Sequence, residues 1–330
     1  MKRETSELIA RITAVADQYR RRLMDIEDTA ERQLVNIFSE AEGGILDRIP
    51  RMLRERRINV DQGTAWLADT ERMLDRVLIE GGRKWVDSQF SLATEWALDR
   101  TKNIVLAGGK LRNVRLIDDD VIRSSLLNFT DADDALLRSG LRRGYSLVRG
   151  IDRELGDHLR SVITRNVALG VDTNTIAEEI MAGGRLRPIG RISLEQRAQM
   201  IARTELARVA EDAAAAKSEQ VGIKHFRWSA MVGDPRTADD SIRRHGRIKT
   251  RQQWLDYSPD EFKGVPPIRP HDRCTLVPIE RDWLDDEEAR HEFDSAISND
   301  GRLLVSNDDR LAIQEFEVAE QEKQRKKLDK

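Results

Sequence analysis

The chain has 330 residues, enough for two or three domains and a substantial buried core. Charged residues make up 35% and aromatic residues 5%, a balance that favours long solvent-exposed helices over a β-rich sandwich or barrel. The formal charge of −3 provides no global field that would draw the chain to nucleic acid or to a membrane. The single cysteine, Cys274, excludes an intramolecular disulfide framework and fits a reducing compartment.

The first residues, MKRETSELIARITAV, contain neither an uninterrupted apolar run nor the small-residue cleavage site of a secretion signal. No stretch approaches the roughly 18 apolar residues that a membrane-spanning helix needs. The sequence therefore predicts a soluble protein that is made in a cytoplasm and has no membrane partner.

Residues 5–42 carry a helical pattern in which apolar side chains recur every three or four residues. The steps repeat every eleven residues, so the apolar stripe runs nearly straight along the helix. A stripe this narrow must be covered by other helices or by a partner chain, and Gly43-Gly44 is expected to stop or bend the helix. The stripe consists of Leu8, Ile12, Val15, Tyr19, Leu23, Ile26, Ala30, Leu34, Ile37, Ala41 and Ile45.

Two further helical regions follow. The first covers about 65–105, with an interruption expected at Gly81-Gly82; its tryptophans Trp66, Trp85 and Trp96 are typical of helix–helix packing anchors. The second covers 118–168 and ends before Gly170.

Two capping boxes are predicted next. Thr175 with Glu178 is expected to open a short helix that ends at Gly183-Gly184. Ser193 with Gln196 is expected to open a helix that runs to about Val221 and is closed by Gly222.

The pattern changes after Gly222. Residues 223–230 alternate, which predicts a half-buried strand with Phe226 and Trp228 inside and Arg227 outside. Thr237 with Asp240 is expected to cap a short helix, and a proline-rich loop leads to Cys274. The predicted fold is mainly α, with long N-terminal helices followed by a small α+β module. The predicted regions are 1–110 (long helices), 111–192 (helical), 193–280 (the α+β module) and 281–330 (a charged C-terminal tail with a helix).

The polar residues between Arg203 and Pro278 allow more than one interpretation. Imidazole, thiolate and carboxylate are the usual zinc ligands, so Asp234, His245, His271 and Cys274 are candidates for a metal site. In the competing interpretation, Asp234 and Arg236 hold a turn together and Cys274 packs as a small hydrophobic residue. A third interpretation is acid–base catalysis by Asp234 and a histidine, although no nucleophile elbow or cluster of carboxylates accompanies them.

The order of these motifs resembles the phage head morphogenesis family, whose members are minor head proteins related to protein F of phage Mu. The resemblance covers roughly residues 150–280. Its elements are a helix with R-T-E, a strand with tryptophan, a D-x-R-T turn, a glycine about twelve residues after the aspartate, and a proline-rich H-x-x-C ending. In this sequence they are Arg203-Thr204-Glu205, Trp228, Asp234-Pro235-Arg236-Thr237, Gly246, Pro266-Pro267 and Pro270-His271-Asp272-Arg273-Cys274.

The resemblance implies a non-enzymatic minor capsid protein of the virion head. Such a protein is made in the bacterial host cytoplasm. It associates with the portal protein and other capsid proteins and assists head assembly, DNA packaging or DNA release. Its association with packaged DNA would be indirect, and the first long helix, with its narrow apolar stripe, would be the docking element.

Two positions depart from the family pattern. Ser241 stands where many members have histidine or cysteine, and Leu276 stands where many have a second cysteine. Both departures weaken the zinc interpretation, in which His245, His271 and Cys274 would be the ligands, and they favour a module without a cofactor. The alternative function is a metal-dependent hydrolase or nuclease that uses the region of Asp234, His245 and His271.

Overall fold

A computed structural model describes residues 3–54, 57–109, 130–180, 193–232, 234, 237–257, 264–268, 272–284, 287–303 and 307–328. The first helices are α1 (Arg3–Leu46), α2 (Ile49–Met52), α3 (Val60–Leu74), a π-helical segment (Asp75–Gly81) and α4 (Gly82–Gly109). They are followed by α5 (Asp131–Ala168), α6 (Thr173–Ile180) and α7 (Leu194–Gln220). The small module contains β1 (His225–Ser229), α8 (Asp239–Arg244), β2 (Ile248–Thr250), α9 (Arg251–Asp256) and β3 (Thr275–Pro278). A 3₁₀ turn (Arg281–Trp283), α10 (Glu287–Ser298) and α11 (Asn307–Leu328) complete the described chain.

The mainly α fold with a small mixed module is confirmed. The strands form one antiparallel sheet in the order β2-β1-β3, with Phe226 opposite both Lys249 and Pro278. Among the described residues, no helix is both long and apolar enough to cross a membrane.

Contacts between the residues divide the chain into two compact units. The first unit comprises Met1–Met24, Ala93–Leu136 and Ala207–Lys330, and it contains the sheet. The second unit comprises Asp25–Leu92 and Leu137–Leu206. The four consecutive regions 1–110, 111–192, 193–280 and 281–330 stay a prediction from the sequence.

The apolar stripe of α1 lies as predicted. All of its positions are buried except Val15, Ile26 and Ile37, which are partly buried. In the first unit Trp96 donates its indole N–H to the carbonyl of Tyr19 at 3.0 Å, and in the second unit Trp85 donates to the carbonyl of Ala30 at 2.9 Å. The predicted role of these tryptophans as packing anchors is confirmed. The stripe is covered by helices of the same chain, so the expectation that it docks onto a partner is wrong.

The strand prediction needs a correction, because β1 is buried on both faces rather than on one. Phe226 and Trp228 pack into one apolar cluster with Trp254, Cys274 and Leu276. The opposite face meets a second cluster, which includes residues of α1, α4 and α10 and whose sheet members include Ile248 and Val277. Arg227 is only 2% exposed there, and its Nε donates to the carbonyl of Leu303 at 2.9 Å.

Several predicted helix ends are confirmed and two caps are wrong. Ser193 and Gln196 form the predicted reciprocal cap of α7, and Gly222 ends it with a φ of +85°. Asp172, rather than Thr175, caps α6 by accepting from the amides of Asn174 and Thr175. Ala238 occupies the N-cap of α8 without a side-chain bond, because the Thr237 hydroxyl donates instead to the carbonyl of Met231. Gly81-Gly82 does not break the second helical region, since it lies where the π-helical segment passes into α4. The predicted end at Gly183-Gly184 lies outside the described residues.

Candidate functional site

Arg203 and Glu205 form ion pairs inside the second unit. The Nε of Arg203 lies 2.6 Å from the carboxylate of Glu31 on α1. Glu205 is 8% exposed and lies 3.2 Å from the Nε of Arg143 on α5. The R-T-E motif therefore attaches α7 to two neighbouring helices, and its charges are used for packing.

Trp228 and Gly246 form the centre of the small module. Trp228 is fully buried and lies against Trp254, with 5.0 Å between the ring centroids. Gly246 has a φ of +80°, a conformation that favours glycine, and its N–H donates to the carbonyl of Trp228 at 2.9 Å. These two motif residues fix the end of α8 against β1.

His245 follows α8 and is 3% exposed. Its Nδ1 accepts from the backbone N–H of Ala230 at 3.0 Å. Its Nε2 lies 3.3 Å from a guanidinium nitrogen of Arg227, a group that can only donate. A neutral imidazole has one lone-pair nitrogen, and here Nδ1 uses its lone pair to accept from Ala230, so His245 presents no free lone pair to a metal ion in this arrangement.

Cys274 is buried in the apolar cluster beneath β1. Burial, followed by the neighbouring Asp272 carboxylate, raises the pKa of the thiol well above its usual value. Ser241 and Trp228 also interact with the sulfur, which opposes that shift only in part. The raised pKa keeps the thiol protonated in this arrangement, whereas a metal-bound cysteine is a thiolate.

The predicted zinc site has no set of ligands in the described part of the chain. No three histidine, cysteine or acidic residues lie close enough together there to hold a metal ion. Its proposed ligand His271 lies outside the described residues, as do Arg236 and Pro270. The two departing positions have structural partners of their own. Ser241 is buried beside the Cys274 thiol, and the N–H of Leu276 donates to Glu211 at 3.0 Å.

Asp234 lies in the turn after β1, where its backbone carbonyl accepts from Thr237 at 2.9 Å. It also lines a cavity of about 360 Å³ within the first unit. One wall of this cavity is a face of α1, and the other is the segment after β1 with His245. The lining residues are Thr13, Asp17, Arg20, Arg21, Met24, Ser229, Ala230, Met231, Val232, Asp234 and His245. We call it the α1–β1 cavity.

Arg20 holds the two walls of the α1–β1 cavity together. Its Nη2 donates to the hydroxyl of Ser229 at 2.9 Å and to the Ser229 carbonyl at 3.3 Å, and its Nη1 lies 3.1 Å from Asp17. Sequence reasoning missed this arginine, because it lies on the polar side of α1, which is typical of a solvated face. The helical spacing of Thr13, Asp17, Arg20 and Met24 was the available indication that they share one face.

The described residues thus form long helices followed along the chain by a small α+β module, and the motif residues are used mainly for internal packing. Residues 157–277 match the family model described as "Phage Mu protein F like protein". The match runs from within α5 to β3 and includes Arg203, Trp228, Asp234, Gly246 and Cys274. On this segment the chain is similar to the phage head morphogenesis family. Neither the curated proteins nor the solved structures contain a match to the chain.

Proposed function

We propose that this chain is a minor head protein of a phage, which joins the capsid during assembly and acts through protein–protein contacts. The observation that carries the proposal is the family match over residues 157–277. Its direct partners would be the portal protein and other capsid proteins, and its association with packaged DNA would be indirect. The virion head would be its final location, after synthesis in the bacterial host cytoplasm.

The character of the motif residues supports a structural role over catalysis. Arg203 and Glu205 are engaged in ion pairs between helices, and Trp228 is packed against Trp254. His245 is already engaged by the backbone N–H of Ala230 and lies against Arg227, which does not favour it as the base of the hydrolase alternative. A module with a packed apolar core of its own suits an assembly role, since a preorganised interface loses less conformational entropy on binding.

The first experiment tests the location of the protein. Phage particles from a producing host would be separated from free protein on a density gradient and probed with an antibody against the full chain. We expect the protein in the head fraction, at a constant ratio to the portal protein and resistant to a salt wash. Recovery only from the free fraction, at every stage of infection, would overturn the proposal.

A second experiment separates the stages at which the protein acts. The gene would be deleted in the phage and restored from a plasmid as the control. A role in assembly predicts few closed heads, a role in packaging predicts closed heads without DNA, and a role in release predicts full heads that fail to eject. Normal yields of infectious particles after deletion would contradict all three roles.

A further inference from the structure

The α1–β1 cavity is lined by Arg20, which has a hydrogen-bond donor that no described residue uses. The Arg20 side chain is 11% exposed, and its Nη1 and Nη2 are taken by Asp17 and Ser229. Its Nε is buried and meets no acceptor among the described residues. A buried donor without an acceptor is unfavourable, so an oxygen atom that reached the Arg20 Nε would be stabilised by it.

Arg21 supplies a second guanidinium at the same cavity. Its Nε donates weakly to the backbone carbonyl of Asp17 at 3.5 Å. Arg21 is exposed, and among the described residues it forms no ion pair, unlike its neighbours Arg20 and Arg22. A guanidinium binds a carboxylate through two parallel hydrogen bonds, which makes a carboxylate the best-matched group.

The remaining lining residues restrict what can carry that carboxylate. Asp17 and Asp234 place two negative charges on the walls, and these repel a doubly charged ion such as phosphate more than a single carboxylate. Met24, Met231 and Val232 provide apolar surface for the stem of a side chain. A volume of about 360 Å³ is at the small end of ligand pockets, enough for a side chain with part of its backbone.

We propose that the α1–β1 cavity receives an acidic side chain, aspartate or glutamate, from an extended segment of a partner protein. The carboxylate would bind between Arg20 and Arg21, and the neighbouring apolar atoms would contact the two methionines. The inference rests on the proposed function only in taking the partner to be another head protein. The carboxylate chemistry follows from the lining residues themselves.

The test uses the full chain labelled with ¹³C at its methionine methyl groups, of which the sequence has seven. Met24 and Met231 line the cavity, and Met24→Leu and Met231→Leu variants would assign their signals. The probes are acetyl-Leu-Glu-Leu-amide and its neutral counterpart acetyl-Leu-Gln-Leu-amide. We expect the acidic peptide to shift both signals saturably, and the neutral peptide to bind about tenfold more weakly, because it lacks the charge-assisted bonds.

Two arginine variants provide a matched comparison. Arg21 and Arg32 are both exposed on α1, and each donates its Nε to the carbonyl four residues earlier, but Arg32 does not line the cavity. We expect Arg21→Gln to weaken binding of the acidic peptide about three- to tenfold. Arg32→Gln should leave it unchanged. Both substitutions are on the surface, so both variants should fold.

Three results would overturn the inference: equal binding of the two peptides, equal effects of the two variants, or displacement of the peptide by inorganic phosphate at a similar concentration. The last would indicate a site for free anions. The peptide experiment also separates this inference from the proposed function. Binding by a protein that never enters heads would refute the function alone, and incorporation into heads without peptide binding would refute the cavity proposal alone.

Discussion

The guanidinium of Arg100 and the carboxylate of Glu211 lie 2.9 Å apart in the interior of the first unit, where their side chains are 1% and 4% exposed. Arg100 also donates to the hydroxyl of Thr275 and, at 2.8 Å, to the carbonyl of Leu276. Glu211 accepts from the same two residues of β3, at 2.6 Å and 3.0 Å. This network joins α4, α7 and β3. Burial lowers the pKa of Arg100, and the neighbouring Glu211 opposes that shift.

Removing the charge of Glu211 should be strongly destabilising. Glu211→Gln leaves the Arg100 cation buried without its counter-ion, and breaking such a pair costs about 3–5 kcal/mol of unfolding free energy. The control is Asp294→Asn, which removes a carboxylate from the pair with Arg281, whose side chains are 40% and 47% exposed. Its cost should stay below about 1 kcal/mol. Urea denaturation of the two variants measures the difference, and equal costs would show that the Arg100 network does not stabilise the fold.

The ion pair between Lys217 and Asp133 predicts an effect that depends on pH. Their atoms lie 2.7 Å apart and the side chains are 1% and 0% exposed. Burial alone would raise the pKa of Asp133, but hydrogen bonds from Lys217 and Thr130 outweigh it and lower the pKa below its usual value. The stability that this carboxylate contributes is therefore present above its ordinary pKa and is lost as the pH falls through the lowered one.

The variant Lys217→Met should cost about 3–5 kcal/mol at pH 7, because Asp133 is then ionised and buried without a cation. Without the lysine, burial raises the pKa of that carboxyl, so the variant regains stability as the pH falls and Asp133 takes up a proton. Denaturation at pH 7 and pH 5 should show the deficit shrinking. A deficit that is constant or grows towards pH 5 would contradict the role given to Asp133.

The long helices could be predicted from the sequence because their information is local. The apolar stripe of α1 and the capping box of Ser193 and Gln196 depend on residues only a few positions apart, and both are present in the fold. The cap of α8 was mispredicted because the Thr237 hydroxyl bonds the carbonyl of Met231, a choice made by the turn around Asp234.

The site was harder to predict, since its partners are distant in the chain. Arg227 lies on the face of β1 that was predicted to be exposed to solvent. The sequence alone does not show that the carbonyl of Leu303 lies beside its guanidinium. The hydrogen bond between Arg20 and Ser229 joins the two walls of the α1–β1 cavity, although 209 positions separate the two residues in the sequence. No periodicity in a single sequence encodes such a pairing, whereas the motif order around Trp228 was enough to indicate the family.

Asp152 should lower the stability of the second unit at neutral pH. It lines a groove of about 510 Å³ between α5 and the helical turns of residues 71–79. Burial raises the pKa of Asp152 to about 6, and the carboxylates of Asp75 and Glu71 add to the shift. Because the pKa is raised, the protonated Asp152 side chain contributes its full stability at low pH. That contribution to the free energy of unfolding is lost as the pH rises through about 6.

The variant Asp152→Asn should therefore be more stable than the native protein at pH 8 by about 1 kcal/mol, after allowance for solvent screening of a half-exposed group. At pH 4 the gain should vanish, because Asp152 is then protonated. Asp157→Asn is the control: it removes a charge from the exposed rim of the same groove and should change stability by less than about 0.5 kcal/mol at either pH. Thermal unfolding at both pH values gives the comparison, and an equal gain at pH 4 and pH 8 would refute the electrostatic explanation.

Two glycines inside α5 should respond in opposite directions to the same substitution. A Cβ added at Gly144 would lie 2.7 Å from Val86 and 2.9 Å from Phe90, so Gly144→Ala must displace packed side chains of α4. Overpacking of this kind costs about 1–3 kcal/mol. A Cβ at Gly150 would meet nothing within 4 Å, and alanine is favoured over glycine in a helix by about 1 kcal/mol. Gly150→Ala should therefore stabilise the protein. Urea midpoints that move in the same direction for both variants would show that the close approach of α4 and α5 at Gly144 is not required by the fold.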